Sequence, residues 1–138
     1  MSVAAAVAVL AGCGSHSSHA VPKLPASSPR QASATRSYLA GLGQPLVHIH
    51  DIASQVLATT KASDCKTTEK SLASIVVSNQ PLQVPDGALD ELFADETSDL
   101  AAAVAACASG APTKAAYAAL RVVHDTVTAR LRSDRAIK

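Results

Sequence analysis

Four stretches of the chain carry apolar residues at alternating steps of three and four, a spacing that admits little except helices packed face to face. The first runs through Leu39, Leu42, Leu46, Ile49, Ala53, Val56 and Thr60. Gly41, Gly43 and Pro45 interrupt it, so its well-formed part is expected from Pro45, where proline suits a first helical turn. The second is Cys65, Thr68, Leu72 and Ile75, with Ser63 or Asp64 as its cap. "NQPLQVPDG" reads as a loop, and Asp86 can cap a third helix carrying Leu89, Phe93, Glu96, Leu100, Ala103 and Cys107. Gly110 and Pro112 end it. The fourth carries Tyr117, Leu120, His124, Val127 and Leu131. Abundant alanine and short β-branched runs also favour helix over strand. Short connections make neighbours antiparallel, so the expected fold is all-α, an up-down-up-down four-helix bundle.

That topology makes a prediction of its own. Cys65 opens the second helix and Cys107 closes the third, and in antiparallel helices those ends meet. A Cys65–Cys107 disulfide is therefore expected. Closing a loop of this length would stabilise by roughly 4 kcal/mol in the chain-entropy model. Charge follows the same plan. Asp86 to Asp99 holds six acids and no base at the start of the third helix, while Arg130, Arg132, Arg135 and Lys138 crowd the end of the fourth. Antiparallel packing sets these clusters side by side, and each sign suits the dipole at its own helix end.

Composition narrows the function. The formal net charge is +1, which suggests neither nucleic acid nor an acidic substrate. With no Trp, two Tyr and one Phe, stacking platforms for bases or sugars are scarce. "GLGQ" lacks the strand and spacing of a dinucleotide loop, and no P-loop, nucleophile elbow or zinc ribbon occurs. A non-enzymatic role is the expectation.

One polar constellation stands out within the apolar stripes. Glu96 and His124 occupy stripe positions, and His50 borders the first stripe. Measured from the bundle end that holds Cys65, each lies about eleven residues along its helix, roughly 16 Å, so the three fall in one layer. Two imidazoles and a carboxylate could hold a divalent metal, and two imidazoles alone could ligate haem. The plainer reading is a hydrogen-bonded polar layer with no cofactor. His48 cannot pair with His50, because residues two apart on a helix face away from each other. A site joining Cys65, Cys107 and His124 fails on distance.

The N-terminal segment concerns location. Val3 to Leu10 is an unbroken apolar run that would span about 12 Å as a helix, far short of roughly 30 Å of bilayer hydrocarbon. Its length suits the apolar core of a signal peptide. Leu10-Ala11-Gly12-Cys13 resembles the lipobox of bacterial lipoprotein precursors. The resemblance implies removal of residues 1–12, a diacylglyceryl thioether on Cys13 and attachment to the extracytoplasmic face of the cell membrane. Residues 13–37 are Ser-rich, with Pro22, Pro25 and Pro29 and no apolar period, and read as a flexible tether to a helical domain over 38–138. Lys23, Arg30 and Arg36 in that stretch either are solvated linker charges or lie against anionic head groups. By elimination of catalytic motifs, the expected role is a lipid-anchored helical module that binds a partner, such as an envelope protein, or supports an envelope assembly. The alternatives are a metal or haem protein using His50, Glu96 and His124, or a carrier of a small apolar ligand.

Overall fold

The computed structural model describes residues 24–59, 61–78 and 82–137. The signal-peptide stretch, Cys13, Thr60 and Lys138 lie outside them. Five helices follow in order: α1 (Pro29–Ala40), α2 (Gln44–Ala58), α3 (Ala62–Ser78), α4 (Gly87–Ser109) and α5 (Lys114–Ser133). No strand occurs among the described residues.

Local chemistry sets the ends. Asp86 caps α4 by accepting the Ala88 and Leu89 amides, as its position implied. At the other end Gly110 takes φ 73°, a left-handed turn that lets its own amide and that of Ala111 reach back to the carbonyls of Cys107 and Ala106. Pro45 sits in the first turn of α2. Gly43 precedes that turn against the Tyr38 ring, where a Cβ would lie 2.8 Å from a ring carbon. Only glycine allows the chain to turn so closely there.

Cross-contacts give the helix directions. Cys65 at the start of α3 is disulfide-bonded to Cys107 near the end of α4, their Cα atoms 5.8 Å apart. Asp86 at the head of α4 pairs with Arg130 in the last turn of α5. The Tyr117 hydroxyl, early in α5, donates to the Thr59 carbonyl just past α2. Each of these pairs is antiparallel.

Two expectations need correction. The described residues form five helices, because the stripe starting at Leu39 is two elements. Leu39 belongs to α1 and is buried, Leu46 to Val56 belong to α2, and Leu42 projects from the turn between them, 78 % exposed. Nor is the whole of 13–37 a tether. Ser28 caps α1 by accepting the Gln31 amide, and Pro29 fits its first turn. Thr35 and Leu39 bury its inner face. Arg36 donates to the Asp134 carbonyl at 2.8 Å, Ser27 to Asp86 at 3.2 Å, and Arg130 to the Pro25 carbonyl. These partners lie far along the chain, so no local periodicity announces them.

The core forms two apolar clusters. Leu39, Val84, Leu89, Phe93, Val127 and Leu131 fill the end that α1 covers, which we call the base. Ile49, Ile52, Val56, Leu72, Leu100, Val104 and Leu120 fill the other end with Ala53, Ala103 and Val123. Between Phe93 and Leu100 on α4, and between Val123 and Val127 on α5, the sequence inserts Glu96 and His124.

A buried His–Glu–His layer

The three residues singled out from the stripes converge. His50 on α2, Glu96 on α4 and His124 on α5 are 5 %, 0 % and 9 % exposed, and ligand atoms from the three lie within 4.8 Å of one another. His50 Nδ1 lies 2.8 Å and 3.1 Å from the two Glu96 oxygens, and His124 Nδ1 lies 2.6 Å from Oε1. The two imidazoles stack with centroids 4.3 Å apart and planes 25° from parallel.

Two hydroxyls complete the layer. Ser54 Oγ is 3.1 Å from His124 Nε2, and Thr128 Oγ1 is 3.2 Å from His50 Nε2. The exchange is reciprocal, because each hydroxyl sits one turn beyond one histidine and reaches the histidine on the facing helix. Sequence reasoning passed over both residues. The signal was there: His50 and His124 are each followed four positions later by Ser or Thr. A hydroxyl both donates and accepts, so it can serve either protonation pattern of the ring. With an ionised Glu96 taking Nδ1–H from both rings, Ser54 and Thr128 donate to the Nε2 atoms and every polar atom is satisfied.

Charge is less easily settled than hydrogen bonding. Glu96 is wholly buried, and its ion-pair partners among the described residues are the two imidazoles, with no Lys or Arg. A buried carboxylate without a cation is costly. Protonating both rings is no remedy, since two unit charges 4.3 Å apart repel by about 4 kcal/mol at an effective dielectric of 20. One added positive charge, such as a single ring proton, balances the layer, and a divalent ion would leave it with one net positive charge.

Other candidate positions separate from this layer. His48 is exposed while His50 is buried, as their two-residue spacing required. Cys65 and Cys107 are joined to each other, which removes them as thiolate ligands. Of the acids heading α4, Asp86 forms a buried ion pair with Arg130 at 2.6 Å. Burial by itself would raise the Asp86 carboxyl. The Arg130 hydrogen bond and charge, with help from the Leu89 amide and the Ser27 hydroxyl, outweigh burial and hold it below its ordinary value. Asp99 goes the other way, raised by burial and then by the charge of Asp95. Compared with known proteins, the chain matches no protein family, no curated protein and no solved structure.

Proposed function

We propose that this protein is a lipid-anchored, extracytoplasmic module in which α2 to α5 form an up-down-up-down bundle around a divalent-metal centre of His50, Glu96 and His124. The observation that carries the reading is the Glu96 carboxylate, fully buried between two imidazole Nδ1 atoms with no Lys or Arg among the described residues to neutralise it. A divalent ion would offset the carboxylate and leave one net positive charge for a further ligand to balance. Two nitrogens and one oxygen, with no sulfur, suit zinc, cobalt, nickel or copper(II) better than calcium, magnesium or copper(I). Once Nδ1 is a ligand, each Nε2–H can donate to Thr128 or Ser54, the outer hydrogen bond that orients a ligating histidine. Ring centroids 4.3 Å apart leave no gap for a macrocycle between the imidazoles, which favours a bare ion over haem. The anchor rests on the Leu10–Cys13 motif alone.

Elemental analysis of the full chain purified from its host, followed by calorimetric titration of the metal-free protein with zinc and cobalt, tests the centre. One equivalent should bind, and His124→Ala should abolish stoichiometric binding. Ser54→Ala should weaken affinity by about tenfold or more while leaving the stoichiometry at one, as expected of an outer-shell partner. If neither ion binds the wild type more tightly than His124→Ala, the metal reading is wrong and the layer is purely structural.

A further inference from the structure

The base of the bundle is where the chain enters from its N-terminal side. Pro25 and Ser27 are held against Arg130 and Asp86, and α1 lies over the base cluster through Leu39. The outward residues of α1 are Pro29, Arg30, Ser33, Ala34, Ser37 and Ala40, and the turn after it projects Leu42, one of two large apolar side chains that are well exposed among the described residues. The first acid of the whole chain is Asp51, so this surface and everything before it carry basic charge only. Of the acids at this end, Asp86 and Asp134 are 1 % exposed and Asp86 is neutralised by Arg130, whereas Asp90, whose charge acts on Tyr38, is half-buried and Glu91 is exposed at the head of α4. Exposed Arg132 and Arg135 close the same end.

From these placements we infer that α1 and the Leu42 turn form a membrane-facing surface, seated on the anionic lipid in which the protein is anchored, with the bundle standing above it. The inference rests on the anchor reading. Cys13 precedes Leu24 by eleven residues, which span at most about 40 Å, so the lipid surface is always within reach of the base. Tethering supplies the high local concentration that a weak contact needs. Each exposed arginine contributes on the order of 1 kcal/mol near an anionic surface, and Leu42 adds apolar contact at the level of the head groups. The His–Glu–His layer then lies above the membrane instead of in it.

The chain has no tryptophan, so a single introduced one is an unambiguous reporter. With Cys65 and Cys107 paired, Cys13 is the remaining thiol, and full-length protein can be coupled through it to a maleimide lipid in vesicles rich in phosphatidylglycerol. This keeps the surface testable whether or not cells lipidate Cys13, which mass spectrometry of host-purified protein decides separately. Leu42→Trp should shift its emission to the blue and lose intensity to brominated acyl chains. Val122→Trp, at the other exposed apolar position and about 18 Å up α5 from Asp134, should do neither. Replacing the anionic lipid by phosphatidylcholine, or substituting Arg30→Glu, should reduce the Leu42→Trp shift. Equal quenching at the two positions, or none at Leu42→Trp, would overturn the inference even if Cys13 proves lipidated. An undiminished shift in phosphatidylcholine would overturn its electrostatic basis.

Discussion

Glu96 illustrates how one residue can decide whether a layer is an asset or a defect. It receives both Nδ1–H groups, so its removal strands two buried imidazoles at once. Glu96→Leu is therefore expected to destabilise the metal-free protein by about 3–5 kcal/mol, measurable by urea denaturation. A loss under 1 kcal/mol would mean that the rings find other partners. At Asp86 the sign of the pH dependence is determined by the Arg130 pair. Its carboxyl titrates lower in the folded chain than its ordinary value of 3.8, so its contribution is complete above that value and is lost as pH falls through the lowered one. Acid unfolding below about pH 4 should be less steep in Asp86→Asn, although that variant is less stable at neutral pH. Equal acid slopes for the two proteins would contradict this.

Among the elements, α1 departs most from its sequence pattern. It buries only Thr35 and Leu39, too few positions to register as a stripe, and its remaining hold is polar and long-range. If it is part of the fold and no tether, Leu39→Ala should cost about 2–4 kcal/mol, since Leu39 is 3 % exposed among Phe93, Val127 and Leu131. Thermal unfolding would show it, and limited proteolysis should cut within 29–40 only in the variant. Unchanged stability would return the segment to the tether. α4 behaves in the opposite manner. Its cap Asp86, its inward series Leu89, Phe93, Glu96, Leu100, Ala103 and Cys107, and its Gly110 stop were all legible, because each signal lies within the helix itself. Leu42 was misassigned for the reverse reason. Helical spacing placed it in line with Leu39 and Leu46, but the Gly41–Gly43 turn breaks the helix and directs it outward.

Across the whole molecule the disulfide ties the end of the bundle away from the base, where the core is built from aliphatic side chains with Tyr117 packed at its edge. Replacing both cysteines with serine should lower stability by about 4 kcal/mol, the loop-closure value for 42 residues. Denaturation of the oxidised and double-serine proteins would measure the difference, and a difference near zero would show that the denatured chain is already compact. The all-helical class, the Cys65–Cys107 pairing and the level shared by His50, Glu96 and His124 were determined by the sequence alone. Each follows from regular rise and period along individual helices, which antiparallel packing only has to align. Tertiary structure decided what depends on groups meeting across long stretches of chain. Arg130 with Pro25 and Asp86, and Arg36 with Asp134, turned part of an apparent tether into α1. Ser54 and Thr128 became partners of the opposite histidines for the same reason. Hydrogen bonds depend on sub-ångström approach and orientation, and a helical period specifies which face a residue occupies but not which atom it will meet.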